Sequence, residues 1–132
     1  MSETLNAQQL IRLAQSLTRM QSAITDYEIR QYDALSASQK GKIELALTEL
    51  ARAAGILYAY SVQLAFEDAE GQLKQLKSAA DDMSRFLKTT KKIQRVLDLV
   101  SSVAGIAAAV ISYDLNGVVS GIDEVVQILA NP

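Results

Sequence analysis

The chain has no cysteine and no histidine. The first absence excludes a disulfide framework, a thiolate nucleophile and a thiolate metal site, and leaves the redox state of the compartment open. The second removes the commonest general base and the commonest transition-metal ligand. The only proline is Pro132, at the very end. No glycine-rich phosphate cradle, nucleophile elbow or zinc spacing occurs. No catalytic, cofactor-binding or metal-ligating residue is therefore assigned, no cofactor is expected, and the expectation is that the protein is not an enzyme. The opening MSETLNAQQLIRL lacks a basic segment followed by an apolar one, so no secretory signal is expected. A bilayer-spanning helix needs about 20 mostly apolar residues, whereas the longest uncharged run here has 15. A soluble protein is expected, cytoplasmic by default, with export by a signal-independent route left open.

What is present is apolar and helical in pattern. Hydrophobic residues make up 49% of the 132 positions and charged residues 21%, values suited to one folded domain rather than disorder. Three- and four-residue steps dominate and no period-two alternation was identified, which predicts an all-α fold. The expected architecture is a four-helix bundle over about 6–32, 39–68, 72–112 and 118–130, with a long third helix and a C-terminal apolar hairpin. The first seam is Leu10, Leu13, Leu17, Met20, Ile24 and Tyr27; the second is Ile43, Leu47, Leu50, Ala54, Leu57, Ser61 and Leu64. Ser36 or Ser38 is expected to cap the second helix. The third seam runs Leu73, Leu76, Ala80, Met83, Leu87, Ile93, Leu97, Val100 and Ala104, with Thr90 as a polar interruption. A turn is expected at 67–71, although helices 2 and 3 joined in one rod fit the pattern too. Asn116 and Gly117 are expected to end the third helix in the left-handed conformation. Tyr58 is expected in the core. Helix lengths leave the hairpin either protruding from a three-helix bundle or covered by a displaced first helix.

Charge is laid out in bands. Residues 1–71 net −3, residues 72–95 net +5, and residues 96–132 net −4. Within the middle band Arg85, Lys88, Lys91, Lys92 and Arg95 form a basic stripe with no acid between Asp82 and Asp98. On an unbroken helix Arg85, Lys88, Lys92 and Arg95 share one face. Three readings apply to it: a solvated face paired with acids of neighbouring helices, an anchor on anionic headgroups, or a nucleic-acid contact. The last is disfavoured, because Phe86 is the only nearby aromatic and the surface is not net positive. The carboxylates Glu67, Asp68 and Glu70, and the pair Asp81 and Asp82, fit helix-terminal charge compensation better than acid–base or metal chemistry.

The strongest signal is the uncharged run at 99–113 (LVSSVAGIAAAVISY) followed by a second apolar stretch at 118–130. Its candidate contact residues are Val96, Val100, Val103, Ile106, Val110, Ile111, Val118, Ile122, Val125 and Leu129. Small residues at Ser101, Gly105 and Ala109, and at Gly117 and Gly121, have the four-residue spacing that permits close helix packing in lipid or in a tight soluble bundle. Ala51, Gly55 and Ala59 repeat that spacing in the second helix. The leading expectation is an interaction protein that self-associates or binds a helical partner through the hairpin; the alternative is a membrane-active protein using the same residues.

Residues 91–129 (KKIQRVLDLVSSVAGIAAAVISYDLNGVVSGIDEVVQIL) also resemble, in pattern, the apolar hairpin region of the helical pore-forming toxins. The resemblance implies a small component of a pore-forming system whose hairpin inserts after oligomerisation. Asp114 at the turn would then cross or neutralise, and Asp123 and Glu124 would line an interior.

Overall fold

Four of the five α-helices in the computed structural model, which describes residues 3–131, begin at a side chain that satisfies a free backbone donor. In α1 (Ala7–Arg30) Asn6 accepts from the Gln9 N–H at 2.8 Å while the Gln9 side chain accepts from the Asn6 N–H at 3.0 Å. In α2 (Ala37–Tyr58) Ser36 and Gln39 repeat this reciprocal box at 3.1 and 2.8 Å. Asp68 starts α3 (Ala69–Thr89) by accepting from the Gly71 N–H, and Asp114 starts α5 (Leu115–Ala130) by accepting from the Gly117 N–H, both at 3.1 Å. Only α4 (Ile93–Ile111), which follows Lys92, has no side-chain cap.

The order of packing differs from the order of sequence. Arg12 pairs with Glu70 at 2.8 Å and Arg19 with Asp81 at 2.5 Å, so α1 and α3 lie side by side and parallel. Successive helices reverse direction, and α4 and α5 enter between α2 and α3. Neighbours around the bundle are α1–α2–α4–α5–α3 and back to α1, a closed ring of five. The first seam is buried throughout, from Leu10 to Tyr27. It meets Ile43, Leu50 and Leu57 of α2, Leu73, Leu76 and Met83 of α3, and the apolar rows of α4 and α5 in a continuous core.

The all-α class holds, with five helices in place of the expected four. The expected second helix stops at Tyr58, ten residues early, and after a turn at Ala59 and Tyr60 the chain runs extended over 61–66. There Val62, Leu64 and Phe66 are buried while Ser61, Gln63 and Glu67 are exposed. The segment SVQLAFE thus does alternate with period two, contrary to the sequence reading. Its Ala65–Phe66 strand (β2) pairs antiparallel with Glu3–Thr4 (β1), and the Leu5 N–H donates to the Leu64 carbonyl at 2.8 Å. The extended segment is what brings the start of α3 back beside the start of α1.

The long third helix is also two helices. They meet at an elbow, residues 90–92, where Thr90 takes an extended conformation (φ −72°, ψ 139°). No glycine or proline marks this break. The Thr89 hydroxyl donates to the Arg85 carbonyl at 2.9 Å, a local bond that weakens helix continuation. Beyond the elbow the buried row is re-phased. Val96, Leu99, Val103, Ile106 and Val110 are buried, while Ile93, Leu97 and Ala104 of the expected seam are half-buried. The fifth helix starts at Leu115, so Asn116 and Gly117 lie in its first turn, and the left-handed residue is Tyr113 (φ 60°) instead. The hairpin does not protrude: α4 lies along α2, and α5 along α3.

Candidate functional site

The hairpin residues expected to make external contacts are turned inward. Val96, Val100, Val103, Ile106, Val110, Val118, Ile122 and Val125 are buried in the monomer's own core, and Ile111 and Leu129 are half-buried against it. By length and composition α4 could cross a membrane, with mean hydropathy 1.5, but half of that window is buried within the bundle. The small residues divide into two groups. A Cβ on Gly121 would sit 2.5 Å from Ile106 Cγ1, and one on Gly117 would meet Ala109 Cβ at 3.0 Å, so α5 crosses α4 closely at Ala109, Gly117 and Gly121. Ser101 and Gly105 instead face outward, and nothing lies within 4 Å of where a Gly105 Cβ would be. Ala51, Gly55 and Ala59 are likewise exposed, and nothing lies within 4 Å of where a Gly55 Cβ would be; Tyr58, expected in the core, is 45% exposed.

The elbow breaks up the basic stripe. Arg85 pairs with Asp82 within α3 at 2.9 Å. Arg95 reaches across to α5 and donates to the carbonyls of Ile128, at 3.3 Å, and Asn131, capping a helix end whose carbonyls carry partial negative charge. Lys88, Lys91 and Lys92 are exposed and form no ion pair among the described residues. The acids follow the expected compensation only in part. Asp68 and Glu70 occupy the start of α3, and Arg12 and Gln9 hold the Glu70 carboxyl below its usual range. Asp81 and Asp82 lie within α3, each bonded to an arginine.

With the hairpin turned inward, an apolar groove of about 380 Å³ opens on the outer face of α2 and α4. Leu45, 64% exposed, and Leu97 form its apolar walls; Ala46, Val100, Ser101 and Ala104 form the floor, and Lys42, Gln94 and Asp98 its polar edge. Exposed Gly105 and Ala108 continue this face on α4 as low, uncharged surface, while Glu49 and exposed Arg52 continue it on α2. Sequence reasoning missed Leu45 because it lies outside the seam, one turn before the Glu49 that flanks it. An isolated exposed leucine is unremarkable; this one is informative because it stands over a groove.

One carboxylate is misplaced by ordinary rules. Glu28 of α1 is 9% exposed and its Oε2 has no partner. Burial pushes its pKa up, the nearby Glu44 of α2 pushes the same way, and Lys40 opposes both. Lys40 itself lies 3.6 Å above the Tyr32 ring. Among the described residues no group of three or more acids is placed to hold a metal ion.

No protein family, curated protein or solved structure matches this chain.

Proposed function

We propose that this chain is a non-enzymatic helical interaction protein that self-associates through the outer α2–α4 face rather than through the hairpin side chains. The observation that carries the reading is Leu45, 64% exposed, standing over the groove that α2 and α4 form. The occupant that fits is a second copy. Lys42, Leu45 and Glu49 share one face of α2 at spacings of three and four. In an antiparallel two-fold pairing centred on Leu45, each leucine meets its counterpart, and Lys42 of each copy lies opposite the partner's Glu49. Overlap centred on Leu45 covers about 25 Å of α2 at a width of about 20 Å, hiding on the order of 1,000 Å² in total, the smallest area that suits a biological interface.

Light scattering across a concentration series tests this. Wild type is expected to approach twice the monomer mass, and Leu45→Asp to remain monomeric. Lys42→Glu alone is expected to weaken the dimer, and Lys42→Glu with Glu49→Lys to restore it. A wild-type monomer at every concentration, or a dimer indifferent to these changes, overturns the reading.

A further inference from the structure

The two ends of the bundle differ in chemistry. One end gathers the last turn of α1, the turn at Tyr32–Ala34, the start of α2, the elbow between α3 and α4, and the end of α5. Lys88, Lys91 and Lys92 are exposed there with no ion pair among the described residues, and Arg30 and Lys42 are exposed beside them. Two of the most exposed large apolar side chains stand at the same end: Ile29 at 69% and Tyr32 at 56%. The helix rows explain the juxtaposition. Ser22 and Asp26 of α1 face Asp81 and Ser84 of α3 across a shallow groove. One turn further on, those two rows reach Ile29 and Lys88.

We infer that this elbow end docks on an anionic lipid surface. Cations alone would suit any polyanion, and exposed apolar residues alone would suit any hydrophobic patch. Lysines with long aliphatic stems beside an aliphatic and a phenolic side chain fit the headgroup boundary, where charge stays wet and the ring sits at the interface. Docking needs no opening of the bundle, because every side chain invoked is already outside the core. Docking does not require self-association, and the two compete. An antiparallel partner centred on Leu45 overhangs the elbow end, so the lipid-bound form is the monomer.

The test is co-sedimentation with vesicles of phosphatidylcholine, alone or with phosphatidylserine. Binding is expected only with phosphatidylserine and is expected to fall as salt rises. Replacing Lys88, Lys91 and Lys92 by Gln is expected to weaken it roughly a hundredfold, and Ile29→Ser roughly tenfold. Leu45→Asp should bind at least as well as wild type, which separates failure of the dimer from failure of the docking. Circular dichroism verifies that these surface variants fold. Absence of binding, or undiminished binding by the triple variant, overturns the inference. So does release of vesicle contents, which would mean the hairpin inserts. Full competition by soluble polyglutamate with no effect of Ile29→Ser would assign the lysines to an acidic protein instead.

Discussion

The Tyr113 hydroxyl donates to the carbonyl of Ser61 at 3.0 Å, joining the C-terminal end of α4 to that of α2. Both ends are built alike. Tyr60 (φ 54°) and Tyr113 (φ 60°) are left-handed residues, each just past its helix. The Tyr60 N–H reaches Leu57 and the Ser61 N–H reaches Ile56; the Tyr113 N–H reaches Val110 and the Asp114 N–H reaches Ala109. These are paired Schellman closures with tyrosine where glycine is usual. Tyr60→Gly should therefore raise stability by about 1 kcal/mol by relieving the left-handed strain. Tyr113→Gly also loses its hydroxyl bond and should come out near neutral. Urea unfolding of the two variants checks the contrast.

Two glycines with the same sequence signature should respond with opposite sign. Gly121→Ala drives a Cβ into Ile106 and should cost about 1–3 kcal/mol. Gly105→Ala meets open space on a helix face and should add roughly 0.5–1 kcal/mol. Thermal melts of the two single variants give the comparison directly.

Glu28 makes stability depend on pH in a definite direction. Burial and the nearby Glu44 hold its folded-state pKa above the ordinary value of 4.5, so the folded chain holds this proton more tightly than the unfolded chain does. Its contribution is therefore fullest below 4.5 and declines as pH rises through the elevated folded value. Glu28→Gln removes a buried unpaired carboxylate and should stabilise by about 1 kcal/mol near neutrality. The variant should also flatten the fall in melting temperature just above pH 4.5, with Lys40 and Glu44 as the charged groups that tune it. A stability–pH profile of both proteins measures this.

Arg95 should separate from the other members of the basic stripe. Arg95→Gln removes donors from the Ile128 and Asn131 carbonyls and should cost about 1 kcal/mol. Removing Lys88, Lys91 or Lys92 should leave stability within about 0.5 kcal/mol of wild type. Chemical denaturation of the four single variants tests the distinction.

The parts of the fold legible in the sequence were those where one pattern spoke alone. In α1 an unbroken seam from Leu10 to Tyr27 coincides with a capping box at Asn6. In 59–68 two patterns overlap: Leu57, Ser61 and Leu64 continue a helical seam, while Val62, Leu64 and Phe66 alternate. Burial of Phe66 and the pairing of Ala65 with Thr4 decide for the strand, and both are tertiary. At the elbow the three- and four-residue steps continue from Leu87 through Thr90 to Ile93, so the bend leaves only one polar residue in the seam as its mark. The same small-residue spacing brings Gly121 against Ile106 and leaves Gly105 facing open space, because spacing does not say which side of a helix has a neighbour. The apolar hairpin itself was visible. What it packs against was not, since α2 and α3 receive it through contacts distant in sequence.

The closed ring has a consequence for how the chain is made. α3 touches α1 directly, but the other face of α3 and the outer partner face of α2 are completed only by α5 and α4, the last two helices. A growing chain that ends at the elbow has its capped first three helices but an open flank, lined by the inner faces of α2 and α3. Closure waits for the C-terminal hairpin to enter the gap between them. The same apolar run that reads from sequence as a surface in search of a partner is then the wedge that finishes the molecule, and the partner it was searching for is the earlier part of its own chain.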